Sequence, residues 1–231
     1  MRALCDAAVD AALAAGSGYA DARAIERRAQ YVSTRNGQVE TVDDSESAGI
    51  GVRVLVDGAW GFACDRRLQE EGAREAAGRA VAFARASASL TRRPVELAPL
   101  EPASGEYRTP AERDPIEVPL EDKVALCLRA EAGLQARDVL VAEANVRAMR
   151  ERKTFRSSEG SDFVQEIFEC GGGIDVTAVA GGIVQIRSFP SAHGGRSAQA
   201  GWEFVESLGL EREAPRIAEE ASALLRAAPC P

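Results

Sequence analysis

The feature that most constrains this chain is that its second half repeats the pattern of its first. Asn36-Gly37 is the strongest short hairpin signal available, because both residues accept positive φ. Extended runs at 19–28 and 31–35 lead into it, and 38–42 returns from it. An acidic loop is expected at 43–47, followed by a buried strand at 49–56, a second tight turn at Asp57-Gly58, and a strand at 59–64. In the second half, 139–149 and 153–156 read as paired strands, and Ser158-Glu159-Gly160 stands where Arg35-Asn36-Gly37 stood. Residues 163–168 then alternate back. Gly171-Gly172-Gly173 precedes a strand at 174–179 as Gly49-Ile50-Gly51 precedes 52–56, Gly181-Gly182 matches Asp57-Gly58, and 183–189 matches 59–64.

Helices flank these hairpins. Leu4, Ala8, Ala11 and Ala15 share one face of a helix at 2–15 that Gly16 stops. A second helix at 67–86 carries Leu68, Ala76, Ala80, Val81 and Phe83. A third opens at Pro119, a residue suited to a first turn, with Leu120, Val124, Cys127, Leu128 and Leu134 at helical spacing. The last, at 211–227, aligns Ile217, Ala221, Leu224 and Leu225. Residues 94–119 hold six of the ten prolines, too many for a helix or a central strand. The expected organisation is a first repeat at 1–93, a Pro-rich linker at 94–118 and a second repeat at 119–231. The expected fold is α+β, with duplicated helix–hairpin–hairpin units forming a helix-on-sheet layered sandwich.

Charge and cysteine content exclude several function classes. The net charge is −8 and the chain has only two lysines, with its arginines interleaved among acids, so nucleic acid is not an expected partner. No apolar stretch is long enough for a membrane helix, and Asp6 and Asp10 interrupt what would be a signal peptide, so a cytoplasmic location is expected. The five cysteines form no CxxC pair and are expected to be small buried thiols.

The search for a reactive centre returns little. Gly49-Ile50-Gly51 and Gly171 to Gly173 enter strands rather than helices, which is wrong for a dinucleotide loop and right for a bend or bulge. His193 is the one histidine, it lies in a polar Gly-rich loop, and no G-x-S-x-G motif supplies a nucleophile for it. One histidine and scattered cysteines do not make a zinc site. Arg187, Arg196 and Trp202 surround that loop, and with His193 they are the candidate contacts for a peptide or partner.

Several spaced motifs resemble the TldD/PmbA family, also called modulator of DNA gyrase or peptidase family U62. They are Tyr19-Ala-Asp-Ala-Arg23, Arg35-Asn-Gly37, Ala48-Gly-Ile-Gly-Val-Arg-Val54, Asp57-Gly-Ala-Trp-Gly-Phe-Ala63, Ser158-Glu-Gly160, Glu169-Cys-Gly-Gly-Gly173, Gln185-Ile-Arg-Ser-Phe189 and Gln199-Ala-Gly-Trp-Glu-Phe204. The resemblance is to the N-terminal domain of a TldD-like chain. It implies a zinc metallopeptidase acting in peptide maturation and proteolysis, working as a homodimer or a heterodimer with another family member. The family's HExxxH zinc helix is absent here, so no catalytic or metal residue carries over to any position, and this chain alone is expected to be inactive. Zinc is expected only in a catalytic domain following Pro231. The implied role is to form dimer contacts and wall a chamber that admits extended peptide; the alternative is a stand-alone adaptor that pairs with a full-length partner. A hydrolase using His193 is a third and weaker reading.

Overall fold

The computed structural model describes residues 1–192 and 194–228. In chain order the elements are α1 (Arg2–Ala14), β1 (Tyr19–Arg35), β2 (Gln38–Val56), β3 (Ala59–Asp65), α2 (Glu70–Ala88), β4 (Ser104–Arg108), α3 (Leu120–Ala132), β5 (Val139–Ser157), β6 (Asp162–Ala180), β7 (Ile183–Phe189), β8 (Arg196–Ala198), α4 (Glu203–Leu208) and α5 (Leu210–Leu224). The fold is α+β. Its eight-stranded, mostly antiparallel sheet runs in the order β3-β2-β1-β5-β6-β4, and β7 and β8 also pair with β6. The chain divides into two compact units, and β1, β2, β5 and β6 each supply residues to both.

The first unit comprises Met1–Arg27, Glu46–Arg108 and Glu151–Glu166. Period-two alternation sets its core, since successive strand residues point to opposite faces. Ala20, Ala22 and Ala24 of β1 and Ile50, Val52 and Val54 of β2 are buried against Cys5, Ala8 and Ala12 of α1 and Ala73, Ala76, Ala80 and Ala84 of α2. Small side chains on both sides let helix and sheet approach closely. Gly61 marks the tightest point, where an added Cβ would lie 2.1 Å from the carbonyl oxygen of Ala80. The β2–β3 hairpin pairs Val56 with Ala59 around Asp57 and Gly58, both at positive φ as the turn requires. Within the Pro-rich crossing, Ser104–Arg108 forms β4, which runs parallel to β6 with Ser104 opposite Asp162.

The second unit comprises Arg28–Ser45, Thr109–Arg150 and Ile167–Pro231. Its core joins Val32 of β1, Ala142, Ala144 and Val146 of β5, and Ile174 and Val176 of β6 with Cys127 of α3, Val205 of α4 and Ile217 of α5. Trp202, Leu134 and Val118 close it from the connecting segments.

Three local expectations are corrected. The acidic run at 43–47 is not a loop but lies inside β2. Its charges do not break the strand, because the run is exposed and the Arg28 guanidinium holds the Asp44 carboxylate at 2.7 and 3.0 Å. Residues 139–149 and 153–156 do not pair with each other; they are one continuous strand, β5. The charged stretch between them stays extended because Arg150 meets Asp114 at 2.7 Å, Glu151 is bound by Arg27 and by Lys153 at 3.0 Å, and Arg152 points to solvent. Likewise 163–168 and 174–179 are one strand, β6, with the three glycines in its middle. A Cβ on Gly171 would lie 2.1 Å from the Arg196 carbonyl oxygen, and one on Gly173 2.4 Å from the Gly195 Cα, so the glycines admit a close backbone neighbour. Of the thiols, Cys5, Cys127 and Cys170 are buried as expected, but Cys64 is exposed, because in β3 it occupies the face opposite the core residues Ala59 and Ala63.

Candidate functional site

On the sheet face of the first unit turned away from α1 and α2, alternation brings Tyr19, Asp21 and Arg23 of β1 together with Arg53 of β2. The Asp21 carboxylate is fully buried. It accepts hydrogen bonds from the Tyr19 hydroxyl at 3.0 Å, Arg23 Nη1 at 2.7 Å and Arg53 Nε at 2.8 Å, with Arg53 Nη2 at 2.6 Å. Each guanidinium is also stacked: Arg53 lies 4.7 Å from the Trp60 ring centre and Arg23 4.9 Å from that of Phe155. Burial and the neighbouring Asp21 charge push the Tyr19 phenol up, so it remains a donor. Two fixed cations thus share one carboxylate.

Beside this cluster is a cavity of about 400 Å³ whose lining includes Arg23, Ile25, Gly49, Gly51, Phe62 and Arg66. Gly51 shapes it, since a Cβ there would stand 3.1 Å from the Phe62 ring.

The second unit holds another buried charge. Lys123, on α3, is 1% exposed; its ammonium donates to Gln30 Oε1 and lies 5.6 Å from the Trp202 ring centre. Gln30 Nε2 in turn donates to Asp44 Oδ2 at 3.1 Å. Burial pulls the Lys123 pKa down to about 8, against the opposing pull of Asp44. Hydrogen bonding to Arg28 holds the Asp44 carboxyl below the usual range.

The residues singled out from sequence are placed separately. Arg187, on β7, is ion-paired with Glu220 of α5, its Nε at 3.0 Å. Arg196 is exposed on β8, beside Gly172 of β6. Trp202 is 4% exposed and lines a different cavity, of about 430 Å³, together with Val118, Leu126, Arg129, Val205 and Leu210. His193 lies outside the described residues. Sequence reasoning missed Asp21 and Lys123, the two buried charges that organise these sites.

Zinc needs about four converging donors, with its thiol ligands deprotonated. Among the described residues no three His, Cys, Asp or Glu side chains gather in a way that would hold a metal ion. Burial also pushes the thiols of Cys5 to about 11 and of Cys127 and Cys170 to about 12. The described residues therefore do not fit a zinc ion. Among them, no helix is long and apolar enough to cross a membrane.

Comparison with known proteins adds to this geometry. Residues 20–84 match the family model "PmbA/TldA metallopeptidase domain 1", and residues 113–228 match "PmbA/TldA metallopeptidase central domain". A metalloprotease of Methanothermobacter thermautotrophicus is 28% identical over 92% of this chain and 44% of its own length. One from Methanocaldococcus jannaschii is 23% identical over 92% of this chain and 46% of its own. The chain therefore spans about half the length of the curated relatives it matches. Among solved structures, a Thermotoga maritima protein named as a modulator of a DNA gyrase aligns with a TM-score of 0.74 at 16% identity, covering 100% of this chain and 50% of that one. TldE from Thermococcus kodakarensis aligns with a TM-score of 0.68 at 15% identity, over 98% of this chain and 47% of its own. These likenesses establish the fold.

Proposed function

The chain belongs to the PmbA/TldA metallopeptidase family, and on that premise we propose that it is the non-catalytic N-terminal part of a TldD/PmbA-type zinc metallopeptidase, forming partner contacts and helping to present extended peptide for cleavage. The observation that carries this reading is the match to two successive family domains, both named for a metallopeptidase. Donors for zinc would come from residues other than those described here. The strands support the peptide-presenting role. Residues 38–47 of β2 are exposed throughout, and the pairing of β2 with β3 is confined to 50–56, so this stretch offers main-chain donors and acceptors along an open edge. An extended peptide adds to such an edge through main-chain hydrogen bonds that tolerate many sequences. Arg187 and Arg196 belong to the proposed partner surface, and a dimer with a family chain in the cytoplasm is part of the same reading.

The test is to mix the purified chain with a zinc-loaded TldD-type relative and follow assembly by native mass spectrometry and cleavage of an unfolded peptide. The expected result is a defined complex and an altered cleavage rate. If neither assembly nor cleavage changes, the reading is wrong.

A further inference from the structure

The cavity beside Asp21 has a chemistry that neither the family match nor the proposed role uses. Its apolar lining comes from Ile25, Ala48 and Phe62, with the Phe62 ring packed close over Gly51. Its walls are cationic. Arg23 shares the single charge of Asp21 with Arg53, so the pair retains an excess positive charge. Arg66 lines the opening and makes no ion pair among the described residues. Asp65 is the one carboxylate in the lining, and it is already engaged: the Arg67 amide and Nε donate to it at 2.9 Å and Nη2 at 3.0 Å. Those bonds hold it far below the usual carboxylate range, so it stays charged but occupied. In a chain of net charge −8, this is a local positive field over an apolar surface.

We propose that this cavity binds a small apolar molecule carrying one carboxylate. The carboxylate sits between the guanidinium groups of Arg23 and Arg66, and the apolar part lies on the exposed face of Phe62. Arg23 is suited to the task because Asp21 and the Phe155 ring fix its guanidinium, so little freedom is lost on binding. The cavity's 400 Å³ falls within the size range of small-molecule sites. A free acid and the C-terminus of a peptide ending in an apolar residue share this chemistry.

The experiment titrates the whole chain with 3-phenylpropionate and, as the neutral control, 3-phenylpropionamide, following amide and indole NMR shifts. Saturable binding of the acid, weakened about tenfold in the amide, is expected from loss of the charge-assisted hydrogen bonds. Arg66→Gln, at an exposed position, is expected to bind the acid several-fold more weakly with an unchanged melting temperature. A peptide ending in Phe with a free carboxylate, set against its C-terminal amide, identifies the source: tighter binding than phenylpropionate points to a peptide end, weaker binding to a free acid. Equal binding of acid and amide, an unaltered affinity in Arg66→Gln, or no saturation at roughly 10 mM overturns the proposal.

Discussion

Arg53 grips Asp21 with two nitrogens, Nε at 2.8 Å and Nη2 at 2.6 Å from the same carboxylate oxygen, across neighbouring strands β2 and β1. The arginine side chain is 41% exposed while the aspartate is wholly covered, so the pair seals a charge beneath its own counter-ion. Replacing Asp21 with Asn leaves two guanidinium groups facing a neutral amide. Because both arginines keep access to solvent, breaking the pair from the buried side costs about 1–3 kcal/mol. Chemical denaturation of Asp21→Asn is expected to show a loss of that order, and a double-mutant cycle with Arg53→Met a clear coupling between the two. An additive cycle contradicts the assignment.

The helix–sheet contact in the first unit makes a pair of opposite predictions for glycine. Gly61→Ala places a Cβ 2.1 Å from the Ala80 oxygen and 2.6 Å from the Ala84 nitrogen, both rigid backbone atoms of α2. Overpacking of this kind costs about 3 kcal/mol, so a marked drop in melting temperature is expected. Gly78→Ala, on the exposed side of the same helix with nothing within 4 Å, is expected to gain about 0.5–1 kcal/mol from helix propensity.

Lys123 gives the chain a specific pH signature. Its folded pKa of about 8 lies below the ordinary value of 10.5. Below pH 8 both folded and unfolded states carry the proton, and the group contributes no slope. Between pH 8 and 10.5 the unfolded state binds it and the folded state does not, so the lysine's contribution to stability rises with pH. The stability difference between wild type and Lys123→Met, measured by urea unfolding from pH 7 to 10.5, is therefore expected to shift in favour of wild type as pH increases. A flat difference shows that the ammonium is better solvated than its burial implies.

Thiol reactivity separates the cysteines. Cys5, Cys127 and Cys170 are buried with pKa values pushed up to about 11 or 12, whereas Cys64 is exposed. In a Cys230→Ser background, native protein is expected to release one equivalent of thionitrobenzoate from Ellman's reagent rapidly, and three more only in denaturant. Fast reaction of a second thiol in the folded state contradicts this burial pattern.

The turns were legible in the sequence because their chemistry is local. Asn36 and Asp57 both take positive φ, as their Asn-Gly and Asp-Gly dipeptides imply. The extended run at 19–28 was legible for the same reason, though not that Ala20, Ala22 and Ala24 form its buried face. Asp21 was not legible as a buried group, because a polar residue between two alanines reads as solvent-facing. The distant Arg53, with Tyr19 and Arg23, makes its burial tolerable. Lys123 was hidden by its charge. The buried stripe of α3 is Lys123, Cys127, Ala130 and Glu131, a regular helical spacing that a purely apolar search shifts toward Leu120 and Val124. The acidic stretch in β2 misled for the converse reason: Arg28 neutralises Asp44 and Gln30 donates to it from the next strand, a pairing invisible until the hairpin is formed.

The sharing of β1, β2, β5 and β6 between both units bears on how the chain can be dissected. The first unit draws on three separate stretches of chain, and so does the second. A cut at any single peptide bond therefore strands part of at least one unit on the wrong fragment: a piece ending at residue 93 lacks Glu151–Glu166, and its complement lacks Arg28–Ser45. Limited proteolysis or subcloning cannot excise either body intact, and recovering one alone requires rejoining its three stretches with new linkers.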